Sequence, residues 1–325
     1  MALAAALCLG LCAAATPARA GAEFRILTSF YPMYLLTANV AGGIDGVEVQ
    51  NMAEQNVGCL HDYALRTGDM RLISSADVVV INGAGMESFV DRVIGDMGKP
   101  VIDASAGIEL IGDDGHDGDE HDDDGHDGDE HDDDGHDGDE HDGYDHDGHD
   151  HGDVNAHIWM SPRQAILQVE NIAAGLIEAD PAHAQSYRAN AERYKERLLE
   201  LDAEVSALLE GAAGARIVTS HPAFEYLARD YGIEIVASLG QEPGEMPRTR
   251  EMAELVDTVR EMGISALFVE KAYAEKAAWV LARETGIAIY TLDSLTSGEL
   301  SAEAYETGIL ADARTLKEAL EDADA

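Results

Sequence analysis

Histidine is the residue type in this chain with the clearest chemical pattern. Nine of its thirteen copies stand between residues 112 and 153 among closely spaced aspartates, and four stand elsewhere. A neutral imidazole is a good ligand for zinc, copper, nickel and other divalent ions, so both groups indicate metal binding. The nine are His116, His121, His126, His131, His136, His141, His146, His149 and His151, and the four are His61, His157, His183 and His221.

The His-rich segment is a repeat with a period of ten residues. Its unit, Gly-His-Asp-Gly-Asp-Glu-His-Asp-Asp-Asp, occupies 115–124 and recurs at 125–134. The segment has almost no apolar residue with which to offset the entropy cost of ordering. We therefore expect 112–153 to be a disordered metal-binding loop inserted into a folded lobe. A solvated acidic tract is the alternative, but it would not explain the regular histidines.

Three potential ligands in the second half of the chain stand at the ends of short β-branched runs. His221, Glu270 and Asp293 each close or directly follow such a run. Because the carboxyl ends of parallel strands share the edge where α/β folds bind ligands, we expect these side chains to form half of a ligand cluster. Glu270 has two interpretations, which are orienting a metal ligand and capping the following helix.

Two histidines in the first half could complete the cluster. His157 stands just before a predicted helix, and His61 lies in a predicted loop. Cys59, two residues from His61, is a conceivable thiolate ligand, although a single cysteine is more often buried and inert. His183 follows Asp180-Pro181 at a predicted helix start and is interpreted as a surface residue.

Short β-branched runs alternate with helical patterns on both sides of the His-rich segment. This alternation predicts a parallel sheet with helical crossovers in each half. Two of the later helices should stop at Gly263 and Gly286. Strands are predicted at 24–30, 78–81 and 101–102 before the segment and at 217–219, 233–236, 266–269 and 287–292 after it.

Two further helices are predicted between the halves. The first opens with Ser161-Pro162-Arg163-Gln164, the pattern of a capping box with proline at the first helical position. The second, over 183–211, has an apolar stripe spaced alternately by three and four residues and would be about 40 Å long. We interpret it as a rigid strut, an ordinary core helix being the alternative.

The sequence thus predicts an α/β protein of two lobes, each a parallel β-sheet flanked by helices and with its own core, joined by a long rigid linking helix. The N-terminal lobe would span 21–182, the linking helix 183–211 and the C-terminal lobe 212–325. Residues 1–20 form an apolar run ending in Ala18-Arg19-Ala20, which predicts a signal peptide and a periplasmic or extracellular protein. Lipid anchoring at Cys12 is less favoured, because a bulky leucine precedes it.

The net charge of −43 at pH 7 bears on the partners of the protein. Such an acidic chain repels nucleic acid, so none is expected as a partner, and a cation is a natural one. Adaptation to a salty environment also favours acidic surfaces, and charge alone does not separate the two explanations.

Four motifs, spread over nearly the whole mature chain, resemble the cluster A-I substrate-binding proteins (ZnuA/TroA-like family) of zinc and manganese ABC importers. A His-rich insertion just before the second ligand is typical of the zinc-binding members. The motifs are His61-Asp62-Tyr63 with Asp69, Asn155 to Pro162 around His157, His221-Pro222-Ala223-Phe224 continuing to Tyr231-Gly232, and Leu292-Asp293-Ser294-Leu295.

The resemblance implies that His61, His157, His221 and Asp293 hold one transported ion in a cleft between the lobes. It implies a monomeric receptor without enzymatic activity that delivers the ion to an ABC-importer membrane permease. A metallochaperone that meets the His-rich loop is a further candidate partner. Three imidazoles and a carboxylate suit Zn²⁺, whereas Mn²⁺ prefers more oxygen ligands.

The chain also departs from the family pattern. Leu60 stands where the family often has proline, Asn155-Ala156 replaces Asp-Pro, and Ser161 replaces an aspartate. The fourth ligand therefore stays open between Asp293, water and Cys59.

Three other functions remain as alternatives: a manganese receptor of the same family, a zinc-dependent hydrolase, and a metal-storage or adhesive surface protein. A hydrolase is less favoured because the sequence has no His-Glu-x-x-His helix, nucleophile elbow or phosphate-binding glycine loop. A storage protein would lose nearly all its metal with the His-rich loop, whereas a receptor would retain one tightly bound ion.

Overall fold

The computed structural model describes residues 24–53, 60, 63–112, 154–240, 245–264, 266–271 and 276–323. The predicted signal peptide, loop residues 113–153, His61 and Cys59 lie outside these ranges. None of the helices in the described part is both long and apolar enough to cross a membrane.

Strands and helices alternate through both halves of the chain, as predicted. The elements are β1 (Phe24–Thr28), α1 (Tyr31–Ala41), β2 (Val47–Asn51), α2 (Thr67–Ser75), β3 (Val78–Ile81), α3 (Ser88–Asp96), β4 (Val101–Asp103), α4 (Pro162–Ala179), α5 (Ala184–Leu208), β5 (Arg216–Thr219), α6 (Glu225–Tyr231), β6 (Glu234–Ser238), α7 (Thr249–Met262), β7 (Ala266–Glu270), α8 (Lys276–Thr285), β8 (Ala288–Leu292) and α9 (Ala304–Ala323).

The strands form two four-stranded sheets with the orders β2-β1-β3-β4 and β6-β5-β7-β8. Neighbouring strands are parallel throughout. In each sheet the order reverses beside the first strand, between β1 and β3 in one lobe and between β5 and β7 in the other. A reversal of this kind opens a crevice at the carboxyl ends of the two strands, where α/β proteins bind ligands. The predicted α/β class with two parallel sheets is confirmed.

One strand, β2, was not predicted from the sequence. In β2 Val47 and Val49 alternate with Glu48 and Gln50, and none of its residues is fully buried. It lies at the edge of its sheet, so it lacks the continuous apolar run of a strand covered on both faces. A continuous apolar run therefore does not mark this strand in the sequence.

The largest hydrophobic cluster is shared by both lobes. It contains Ile26 and Val80 of the first sheet, Ile217 and Phe268 of the second, and Leu198 of α5. Smaller clusters cover the other face of each sheet. The expectation of a separate core for each lobe was therefore incomplete, because part of each core is common to the whole molecule.

Helix α5 is both a linker and a core helix. It has 25 residues, about 37 Å at 1.5 Å per residue, and packs against α1, α4 and α9. The predicted stripe is its buried face, comprising Tyr187, Ala191, Tyr194, Leu198, Leu201 and Val205. The two interpretations of this helix are thus compatible, and burial along its length makes it a stiff connection.

The predicted capping box at the start of α4 is not formed. Pro162 occupies the first turn as expected, but Ser161 makes no side-chain cap. Instead, the Ser161 hydroxyl and the Gln164 amide both donate to the Asp230 carboxylate in α6 of the other lobe. The same two side chains thus connect the lobes, because a hydroxyl and an amide that donate to a carboxylate form charge-assisted hydrogen bonds.

Gly175 of α4 is the basis of a stability prediction. A Cβ at Gly175 would lie 2.6 Å from Ile102 Cγ1 in β4, so Gly175→Ala is expected to lower the free energy of unfolding by about 1–3 kcal/mol. Gly95 of α3 is the matched control, because a Cβ there meets no described atom within 4 Å. Gly95→Ala should raise the free energy of unfolding by about 0.5–1 kcal/mol. Urea denaturation measures both, and equal effects would contradict close contact between α4 and β4.

Candidate metal centre

Two of the four predicted ligands, His157 and His221, lie side by side between the lobes. Their ring centroids are 5.1 Å apart, and the ring planes meet at 85°. The residues are 3% and 0% exposed. A tetrahedral zinc ion bound by one nitrogen of each ring at about 2.0–2.1 Å would place the centroids about 5 Å apart. The pair therefore has a separation that one ion can bridge.

His221 is positioned by the C-terminal sheet. It follows β5, at the point where the strand order reverses towards β7, and Glu270 ends β7. The Glu270 Oε2 atom lies 3.6 Å from His221 Nδ1, and both side chains are buried. A carboxylate beside Nδ1 favours a proton on that nitrogen and leaves Nε2 to bind metal. This contact supports the interpretation that Glu270 orients a ligand.

His157 is oriented by Asn155. The Asn155 Oδ1 atom accepts the His157 backbone N–H at 2.9 Å and lies 3.0 Å from His157 Nδ1. The Asn155 Nδ2 group donates to the Pro222 carbonyl and to Glu225 Oε2, at 2.7 and 2.8 Å. Because those partners only accept, the amide orientation is determined and Nδ1 of His157 carries the proton. Nε2 is then the nitrogen available to a metal ion.

Asn155 was noted in the sequence only as a departure from an Asp-Pro pattern, and the structure gives a physical reason for it. An aspartate here would set a second carboxylate against Glu225 and the Pro222 carbonyl. The asparagine supplies one acceptor for His157 and two donors for the opposite lobe. Its role depends on Glu225, which is remote in sequence, so no local signal could have shown it.

The backbone beside His157 is held by the N-terminal lobe. The Asn82 amide donates to the Ala156 carbonyl at 2.9 Å and accepts from Gln168 at 2.9 Å. The Asn82 N–H in turn donates to buried Glu87 at 2.8 Å. Asn82 directly follows β3 at the reversal of the first sheet, the same kind of position that identified His221. Sequence reasoning missed it because an amide is not a typical metal ligand.

Asp293 follows β8, as predicted, and both of its oxygens have partners. Oδ1 accepts the Leu295 N–H at 3.0 Å, and Oδ2 lies 3.0 Å from Lys271 Nζ. The Asp293 N–H donates to Asp312 Oδ1 at 2.9 Å, and burial raises the pKa of Asp312 well above its ordinary value. Among the residues that the structure describes, no three His, Cys, Asp or Glu side chains are close enough together to hold a metal ion. The four-ligand set therefore stays a prediction, with His61 outside the described ranges.

The turn after Asp293 is held by the other lobe. Trp159, two residues after His157, donates its indole N–H to the Ser294 carbonyl at 2.9 Å. Leu295 is buried with φ of +54°, a conformation that costs a non-glycine residue free energy and persists only where surrounding contacts enforce it. The segment 155–160 thus contacts both C-terminal segments that carry predicted ligands.

His183 is not part of this site. Its Nδ1 atom lies 2.6 Å from Asp180 Oδ2 at the start of α5, and its side chain is partly buried. It is therefore less exposed than predicted.

The contacts of Asn155 generate a prediction. Asn155→Asp should lower the free energy of unfolding by about 1–3 kcal/mol, because the buried carboxylate would face Glu225. It should also weaken Zn²⁺ binding by about 10- to 100-fold, because a carboxylate repelled by Glu225 and the Pro222 carbonyl would move away from His157 Nδ1 and leave the ring without its acceptor. Urea denaturation and a zinc titration measure the two effects. Adding Glu225→Gln should recover part of both, because a glutamine can donate to the new carboxylate, and wild-type affinity in Asn155→Asp alone would rule out the positioning role.

Comparisons with known proteins agree with this architecture. The zinc-binding protein AdcA of Streptococcus pyogenes serotype M6 is 30% identical over 302 residues, which are 91% of this chain and 56% of AdcA. The high-affinity zinc uptake system protein ZnuA of Bacillus subtilis is 30% identical over 292 residues, 89% of this chain and 83% of that protein. The structure of FpvC from Pseudomonas aeruginosa in complex with Mn²⁺ matches with a TM-score of 0.74 at 27% identity, over 93% and 99% of the two chains.

The chain spans just over half the length of the AdcA relative. A family model described as ZnuA, zinc-uptake complex component A, periplasmic, matches residues 26–319, from within β1 to within α9. The chain therefore belongs to the ZnuA family.

Proposed function

We propose that this chain is a high-affinity zinc receptor of an ABC-type importer, which binds Zn²⁺ between its lobes and delivers it to a membrane permease. The observation that carries the proposal is the buried pair of His157 and His221, one from each lobe, 5.1 Å apart. Each ring has an oxygen beside Nδ1, which favours a proton on that nitrogen and makes Nε2 the nitrogen that would bind the ion. His61 and Asp293 are the proposed third and fourth ligands.

Zinc is favoured over manganese by the nature of the donors. FpvC was solved with Mn²⁺, so the fold alone does not select the metal. Mn²⁺ prefers carboxylate and water oxygens, whereas neutral imidazoles suit Zn²⁺ in a tetrahedral site. His221 is fully buried and would force a nitrogen donor on any ion held there.

A receptor is favoured over a hydrolase by the setting of the same residues. A catalytic zinc ion needs an open coordination position and room for a substrate beside it. His157 and His221 are instead enclosed by the two lobes, with Trp159 packed against His157 at a centroid distance of 5.2 Å. We propose a monomeric periplasmic protein, exported by residues 1–20, that encloses its ion and releases it at the permease.

The pH dependence of zinc binding tests the ligand set. A protonated imidazole cannot bind metal, so below the ordinary histidine pKa of about 6.5 each ligand histidine must lose a proton on binding. The slope of log affinity against pH should approach about three for the wild type and about two for His61→Ala. Competition with a chelator from about pH 5 to 7.5 measures it. His183→Ala is the matched control and should keep the wild-type slope; a wild-type slope in His61→Ala would exclude His61 as a ligand.

The base of the predicted His-rich loop suggests a second test. Gly112 and Val154 form an antiparallel bridge, and the Tyr226 hydroxyl binds the Ile111 N–H at 3.1 Å and the Asn155 carbonyl at 2.8 Å. The two ends of the loop therefore meet at one point beside Asn155. Residues 113–153 can be replaced by a short turn without moving either end.

Deleting 113–153 should remove several weak zinc sites and leave one tight site nearly intact. Binding to a flexible segment must order backbone, which keeps each site weak, whereas the site between the lobes needs little ordering. His157→Ala should do the reverse. Calorimetric titration separates the two classes of site. Loss of the tight site on deletion would show that the loop supplies a primary ligand, and loss of nearly all metal would favour a storage protein.

A further inference from the structure

We propose that Lys271 is an internal competitor that occupies the Asp293 carboxylate while no metal is bound and must be displaced before Asp293 can bind the ion. This inference rests on the proposed role of Asp293 as a ligand. Its basis is the ion pair between Lys271 Nζ and Asp293 Oδ2, whose atoms are 3.0 Å apart.

Lys271 is held next to the candidate site by the sheet. It directly follows Glu270, whose carboxylate lies beside His221, and its backbone N–H donates to the Leu292 carbonyl at 2.9 Å. Leu292 is the neighbour of Asp293 in the chain. The lysine backbone is therefore positioned against the end of β8, and only its side chain can move away.

The Asp293 carboxylate presents one oxygen to a cation. Because Oδ1 already accepts the Leu295 N–H, and the Asp293 N–H is bound by Asp312, the carboxylate orientation is restrained. Oδ2 is the oxygen that contacts Lys271. An ammonium and a zinc ion therefore cannot both take the same lone-pair direction of this oxygen.

The ion pair is exposed enough to exchange. The side chains of Lys271 and Asp293 are 69% and 27% exposed, so the ammonium can return to water with little loss of contact. Both side chains line a cavity of about 460 Å³ together with Glu299, which offers a displaced ammonium another acidic neighbour. Exposed pairs of this kind shift an equilibrium only modestly. The competition should thus lower affinity without blocking the site, and it should speed release of the ion.

Four variants test the competition, with Zn²⁺ as the probe: Lys271→Gln, Lys271→Arg, Asp293→Asn and the double variant Lys271→Gln with Asp293→Asn. Lys271→Gln should tighten zinc binding about 2- to 5-fold and slow dissociation, whereas Lys271→Arg should stay near the wild type. In the Asp293→Asn background the effect of Lys271→Gln should shrink. Comparing the two backgrounds cancels the general repulsion between a lysine and the ion. Affinity and dissociation are followed with a fluorescent zinc chelator.

Lys317→Gln is the matched control for net charge, because Lys317 pairs with Glu321 in α9, outside the site. It should leave zinc binding unchanged. An equal effect of Lys271→Gln in both backgrounds would overturn the competition while Asp293 stays a ligand. Unchanged affinity in Asp293→Asn would overturn both the competition and the proposed ligand. Thermal unfolding of each metal-free variant confirms that the comparison is made between folded proteins.

Discussion

The arrangement of this protein depends on one short segment, residues 155–160, that is hydrogen-bonded across the boundary between the lobes. At one end Asn155 binds the Pro222 carbonyl, beside His221, and at the other end Trp159 binds the Ser294 carbonyl, beside Asp293. His157 stands between them. Hydrogen bonds of this kind, from a side chain to a backbone carbonyl, set the distance between segments that are remote in sequence and that carry the proposed ligands. The geometry of the proposed metal centre is thus defined by contacts within the protein itself.

Burial makes these contacts necessary. A polar group that leaves water without a partner costs about 1–3 kcal/mol, so imidazoles enclosed at this depth require acceptors for their N–H groups. Asn155 supplies one for His157, and Glu270 stands beside His221. The hydrogen bond with Asn155 also restricts the His157 ring to one orientation. The requirement for stability and the requirement for metal binding are therefore met by the same side chains.

Sequence patterns predicted the features that depend on neighbours along the chain. Gly263 ends α7 with φ of +65° as expected, and His221, Glu270 and Asp293 stand at the ends of parallel strands. The capping box at Ser161 was wrong: the Ser161 side chain makes no cap and instead donates to Asp230, a residue of the other lobe.

Asn155 and Asn82 were missed as positioning residues for a related reason. Asn155 is explained by Glu225 in the other lobe, and Asn82 by Ala156 and Glu87. Local sequence patterns predict the secondary structure and the types of candidate ligand. The hydrogen-bond partner of each buried polar side chain depends instead on contacts that only the folded chain brings together.

The bridge between Gly112 and Val154 has a consequence for how this protein can vary over generations. Because Gly112 and Val154 are paired, the two ends of the intervening segment lie side by side. The number of ten-residue units between them therefore need not affect the geometry of the lobes. For a flexible insertion, doubling the length costs only about 0.6 kcal/mol of closure entropy. Slippage during DNA replication could therefore add or remove whole units and change the number of histidines in this segment, while the proposed metal centre between the lobes stays unaltered.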